Sequence, residues 1–259
     1  MHAAWRAILN WRASAALPAW LLALAGTASA ATLVTPSGPE VPENLLRIEL
    51  RLDRPLPAPL DMRRVTLSDG AGVPIEGALL DLPLAGQDGR TVTLLLHPGR
   101  IKTGVGPNEA LGPALRDGQT VLLRVDDPQV GGPVAKRWRV GPAVRGRIMP
   151  EQWRLRAVAR GGRAPLRVVF PTALDGGAAS LIALQGPDGQ RLAGAARLSP
   201  GEREWRFTPA LAWRPGKYLL RVHPALEDPQ GNRLCSAFEQ AEQSAQQCGE
   251  EGRREFIIR

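Results

Sequence analysis

Histidine, cysteine and paired carboxylates carry most side-chain chemistry, and beyond residue 30 this chain holds few of them. His97 and His223 each stand directly before a proline at the end of an apolar alternation. A hydrolase triad needs a His within reach of a nucleophile and oriented by a carboxylate. No Gly-x-Ser-x-Gly step is present, so both histidines read as polar strand-end residues. Cys235 and Cys248 bracket a polar insert at 236–247, and an oxidising compartment predicts that they pair and close a short loop. A zinc site usually draws four ligands at closer spacing, and no His lies near. The methionines Met1, Met62 and Met149 form no cluster, which leaves copper without ligands. The sequence therefore predicts no cofactor, no metal and no enzyme.

Acidic pairs recur at Asp126-Asp127 and Glu227-Asp228, each followed by Pro-Gln. Asp before such steps commonly accepts local backbone N–H groups, so these read as turns rather than calcium sites. The run Gly99-Arg100-Ile101-Lys102-Thr103-Gly104 lacks the glycine that a Walker loop places directly before its lysine. It belongs to a long excursion, 97–118, that carries Arg100, Lys102, Asn108, Glu109 and Arg116 among glycines and a proline. Long loops on a rigid scaffold often bind, and these five residues are the predicted binding loop. Arg145, Arg147, Arg154, Arg156, Arg160 and Arg163 crowd the middle of the chain. Arg154 and Arg156 alternate with Trp153 and Leu155, which is the solvent face of a half-buried strand, and no nucleic acid is expected. Of the tryptophans, Trp138, Trp153 and Trp205 fall in strand patterns, and Trp213 beside Arg214-Pro215 is the one expected to reach the surface.

These residues need a frame. The chain has 259 residues, 44% hydrophobic and 22% charged, with 28 Gly and 24 Pro, which is globular composition. Its formal charge of +8 comes almost wholly from arginine, since Lys102, Lys136 and Lys217 are its lysines. Arg6 and Arg12, an uncharged stretch at 13–25 and a run of small residues through Ala31 follow the layout of a secretory signal. Cleavage is expected after Ala30, which leaves a mature chain without an integral membrane segment.

Apolar residues then alternate with period two: Leu46, Ile48, Leu50; Val92, Leu94, Leu96; Val121, Leu123, Val125; Leu166, Val168, Phe170. Each set places one face of a strand against a core. Turn signals such as Asp69-Gly70, Asp88-Gly89, Asp188-Gly189 and Pro215-Gly216 separate them. The pattern repeats. Leu46-Arg47-Ile48 matches Leu166-Arg167-Val168, Leu122-Leu123-Arg124-Val125 matches Leu219-Leu220-Arg221-Val222, and Asp127-Pro128-Gln129 matches Asp228-Pro229-Gln230. The expected organisation is a signal at 1–30, one β-sandwich at 31–143 and a second at 144–259, joined by a Gly-, Pro- and Arg-rich segment near 142–147.

The second copy carries Pro187-Asp188-Gly189, Trp205-Arg206-Phe207-Thr208-Pro209, Pro215-Gly216-Lys217-Tyr218 and Asp228-Pro229-Gln230-Gly231-Asn232 in that order. This succession resembles the bacterial SbsA-type Ig-like domain over residues 165–234, and the first copy resembles it only through the second. The resemblance implies an all-β fold of two tandem Ig-like antiparallel sandwiches, a binding or spacing role and no shared active site. The expected function is an exported, periplasmic or extracellular, structural or protein-interaction module of the bacterial envelope. Its expected partner is an envelope protein or an anionic wall polymer, and a wall-polymer or carbohydrate-binding accessory protein is the alternative.

Overall fold

The structure is a computed structural model that describes residues 32–102, 106–238 and 252–259. The leader expected at 1–30 and Cys248 lie outside the described residues.

In the first half, β1 (Leu33–Thr35), β3 (Arg47–Arg51), β6 (Thr91–Leu95) and β5 (Leu84–Ala85) form one sheet in that spatial order. The facing sheet runs β2 (Glu40–Pro42), β8 (Val134–Gly141), β7 (Thr120–Val125) and β4 (Val65–Asp69). β2 lies parallel to β8, and the other pairings are antiparallel. In the second half, β9 (Arg154–Arg156), β10 (Leu166–Val169), β13 (Glu204–Pro209) and β12 (Gly194–Leu198) face β11 (Ile182–Gln185), β14 (Gly216–Val222) and β15 (Arg253–Ile258). A four-stranded sheet against a sheet of three, connected in this order, is the Ig-like sandwich.

The halves repeat one strand order, with β3 in the place of β10, β6 in that of β13 and β7 in that of β14, while β2 has no counterpart among the described strands of the second half. The alternation read in the sequence is the burial pattern, since Ile48, Leu50 and Leu94 in one half and Val168, Trp205 and Leu220 in the other are fully enclosed. Buried apolar side chains group into two cores, one drawn from residues 34–140 and one from 148–258. The first is aliphatic around Trp138. The second is a run of rings, with Trp205 stacked on Phe207 at 5.6 Å, Phe207 tilted on Trp213 at 6.3 Å, and Trp213 edge-on to Tyr218 at 5.6 Å.

Trp213 is therefore a correction. It is 2% exposed, and its indole N–H donates to the Ala164 carbonyl at 2.8 Å, so it offers no surface platform for a sugar. Its ring partner Tyr218 donates its hydroxyl to the Arg214 carbonyl at 2.9 Å and accepts from the Arg214 N–H at 3.1 Å. This tyrosine corner fixes the entry to β14, where Gly216 takes a φ of +139°.

Candidate functional site

The described residues of the 97–118 excursion, 97–102 and 106–118, are held tightly. His97 ends its strand as expected, its Nδ1 accepting the Gly99 N–H at 3.0 Å to start a 3-10 turn, Pro98–Arg100. A short helix, α1 (Gly106–Leu111), follows. Arg100 is 5% exposed rather than displayed. Its guanidinium turns inward and donates to the carbonyls of Gly112, at 2.6 Å, and of Glu76, with longer bonds to Leu111 and Pro113. Carbonyls with no strand partner thus find a donor, and the charge is spread over several acceptors. Asn108 donates to the Arg100 carbonyl at 3.4 Å, and Ile101, Ala114 and Leu115 enter the first core. Arg100 and its neighbours cover the core. Of the predicted binding residues, only Glu109 and Arg116 stand exposed, while Lys102 lies 4.7 Å from the ring centre of Phe238.

That last contact crosses between the halves, and so do the bonds of several enclosed polar groups. Leu46 and Arg47, at the start of β3, both donate their N–H groups to the Pro229 carbonyl, at 2.9 and 3.1 Å. The Arg47 guanidinium reaches Asp175 at 3.6 Å and Glu227 more closely. Glu227 is shared with Arg233. Asn44 and Asn232, one from each half, clamp the connector: Asn44 exchanges two bonds with Val144, at 2.8 and 2.9 Å, and Asn232 donates to the same carbonyl at 3.1 Å. The segment read as a linker is pinned from both sides.

A second tie lies across the interface. The Glu202 carboxylate accepts the Ser37 N–H at 2.8 Å and the Ser37 hydroxyl at 2.6 Å, and that hydroxyl accepts the Gly201 N–H at 2.8 Å. Glu202 is 4% exposed and holds a φ of +51°, a left-handed geometry that costs a non-glycine residue about 1 kcal/mol. The bonds to Ser37 offset that cost. Close approach also explains Gly176, where a Cβ would meet the Thr35 hydroxyl at 2.9 Å and Glu49 at 3.0 Å. Phe238, carried by the second half, packs on the first core.

Burial shapes the charges here. Enclosure, with the Asp175 charge beside it, pushes the Glu49 carboxyl up to about 7. Enclosure pushes Asp228 up to about 6, although Asn232 and Gln230 donate to it, and burial also raises Glu202. Asp127 and Asp228 do the turn work expected of them, accepting the N–H groups of Gln129 and Gln230. No cluster of metal-ligating side chains occurs among the described residues. Arg154 and Arg156 stand exposed on β9, while Arg145 pairs with Glu43 at 3.7 Å and Arg147 donates to the Leu234 carbonyl at 3.3 Å. Cys235 is buried, and its expected partner Cys248 is outside the described residues.

Sequence reasoning missed the junction. Arg47 sits in the same Leu-Arg-apolar motif as Arg167, yet Arg167 faces solvent. The signal that was available is the departure of Glu227 from its counterpart Asp126: the longer acid reaches across.

No family model and no curated protein sequence matches the chain. Among solved structures it is similar to a biofilm-associated protein's BSP domain, at 8% identity and a TM-score of 0.24, over 75% of this chain and 27% of that one. It is also similar to a chimeric titin Z1Z2 carrying a decorin peptide, at 13% identity and a TM-score of 0.24, over 75% of this chain and 90% of that one. Titin Z1Z2 in complex with telethonin aligns at 13% identity and a TM-score of 0.22, over 88% of this chain and 94% of that one. The chain thus spans about a quarter of the biofilm protein's length, and its fold rests on its own strand order and pairing.

Proposed function

We propose that this chain is an exported, non-enzymatic Ig-like protein that serves as a structural or protein-interaction module of the bacterial envelope, holding two sandwiches at one fixed angle. The observation that supports this reading is the junction, where Arg47, Ser37 and Asn44 of the first half are hydrogen-bonded or ion-paired to the second half and its connector. A freely hinged pair leaves such groups in water, whereas here Asn44 and Glu202 are enclosed and bonded across the interface and the terminal nitrogens of Arg47 are ion-paired across it, its Nε alone lacking a partner among the described residues. The SbsA-type resemblance of residues 165–234 and the leader layout of residues 1–30 favour an exported protein, periplasmic or extracellular. Cys235 and Cys248 then form a disulfide that closes the insert before β15.

Expression of the full chain in a Gram-negative host tests this. N-terminal sequencing of protein recovered from the periplasm or medium should begin at Ala31, and mass measurement without reduction should show the mature chain two hydrogens light. Retention of residues 1–30 in the cytoplasm contradicts the reading. An anionic wall polymer is the rival partner, favoured by the exposed Arg154 and Arg156, and salt-sensitive retention on purified wall polymer would establish it.

A further inference from the structure

Every open sheet edge presents unpaired backbone groups, and proteins usually guard them with charge, proline or brevity. This molecule guards most of its edges. β5 has two residues and follows Pro83, β9 carries Arg154 and Arg156, and β15 begins Arg253-Arg254-Glu255. The outer side of β4 is covered by its own turn, with Ile75 N–H on the Leu67 carbonyl at 2.9 Å and Asp69 N–H on the Val73 carbonyl at 2.9 Å. β12 is different. It runs five residues, Gly-Ala-Ala-Arg-Leu, without proline or an inward charge, and four of the five are exposed. It holds the position that β5 holds in the first half, where the edge is short and guarded.

Pairing shows which backbone groups are open. Ala193 and Ser199, flanking β12, bond to Ala210 and Glu204 of the β13 side, so by the antiparallel alternation Ala195 and Arg197 also face β13. Gly194, Ala196 and Leu198 then point their N–H and carbonyl groups outward. Two grooves lie along this line. One of about 500 Å3 runs between β11 and β12 at the Gly194–Ala196 end, floored by Ile182, Leu184 and Phe207. The other, of about 460 Å3, lies at the Ala196–Leu198 end, against Leu33 and Arg51 on the outer face of the first half's sheet. They share Ala179 and Ala196, so an added strand lies in both.

Charge selects the occupant. Arg197 stands directly opposite Arg206, a like-charge pair that destabilises a ladder. Arg206 is neutralised by Glu204 at 2.5 Å, whereas Arg197 and the nearby Arg191 have no ion-pair partner among the described residues. We propose that β12 is a docking edge for an acidic extended peptide of a partner protein, which adds as a strand along Gly194–Leu198 and sets a carboxylate against Arg197. Main-chain bonds supply affinity in this mode, and the grooves on either side of Ala196 accept alternate side chains. The proposal rests on the interaction-module reading above and names its partner class.

The probe is a capped eight-residue peptide of alternating valine and glutamate, titrated into the full mature chain and followed by backbone amide NMR. Saturable shifts should centre on Gly194, Ala196 and Leu198. Ala196→Pro removes an outward N–H and leaves the β13 ladder intact, so it should abolish these shifts. Arg197→Glu, an exposed change that keeps the fold, should weaken the valine–glutamate peptide by about tenfold and admit a valine–lysine peptide instead. The proposal is overturned by an absence of binding at millimolar peptide, by shifts centred away from β12, or by affinity that Arg197→Glu leaves unchanged. Self-association of the chain through β12 also overturns it, since the occupant is then a second copy. Rigidity of the junction is measured on the same sample without peptide, so failure at β12 leaves the module reading standing.

Discussion

The two halves share a topology and differ in how they fill it. Leu94 and Trp205 occupy equivalent places on β6 and β13, both fully enclosed, yet the first core closes over leucine, valine and isoleucine and the second over a chain of stacked and edge-on rings. The first half covers its core with residues 97–102 and 106–118, Arg100 among them. The second makes do with a short connection at 209–216 pinned by Tyr218. One fold thus accepts two solutions to the same closure problem, because a sandwich demands alternation and volume and leaves the side-chain type open.

Core truncation probes that difference most strongly. Trp205→Ala is expected to cost the second half about 4 kcal/mol and Leu94→Ala the first half about 3 kcal/mol, read by denaturant unfolding. Equal losses spread over both halves in both variants would show one merged core. Next, Cys248→Ser should remove about 3 kcal/mol, confined to the second half, if the insert before β15 is closed by a disulfide. Arg100→Met should destabilise the first half by about 2 kcal/mol, because several carbonyls lose a charged donor. Arg116→Ala, on the same excursion and exposed, should change stability by less than about 0.5 kcal/mol. Similar effects for the two arginines would mean that the excursion is display rather than cover.

The junction also carries a pH dependence. A carboxyl whose folded pKa lies above its ordinary value holds its proton more tightly in the folded state. The contribution of Glu49 is therefore fully present below about 4.5 and is lost as pH rises toward about 7, and that of Asp228 falls between about 3.8 and about 6. Thermal melting should drop across this window, and Glu49→Gln should flatten the part between pH 6 and 7. Asp61 and Asp188 act in the opposite sense. The Arg63 side chain lowers the first, and the Gln190 N–H with Arg214 lowers the second, so both lose their contribution only on strong acidification. A melting temperature that rises from pH 5 to 7 would contradict the junction chemistry.

The strands were legible because period-two alternation in Leu46 to Leu50 or Leu166 to Phe170 is the direct imprint of a one-sided core. The turns at Asp127 and Asp228 were legible because Asp bonds its own backbone whatever surrounds it. Arg100 and Trp213 were misread for one reason. Each lies in a segment rich in glycine or proline, and such a segment reads as surface although its side chains fold back over a core. The junction was illegible because it depends on which faces of the two halves meet, and nothing local to Ser37 or Glu202 announces that they are 165 residues apart and bonded.

The central claim is that the halves form one rigid unit. Residual dipolar couplings of backbone amides from both halves of a chain of residues 31–259 test it directly. Couplings from residues 33–141 and from 148–258 should fit a single alignment tensor, and Arg47→Ala combined with Glu202→Ala should split them into two. Two tensors in the unmodified chain would contradict the account, since the ties at Ser37, Arg47 and Asn44 would then not hold in solution.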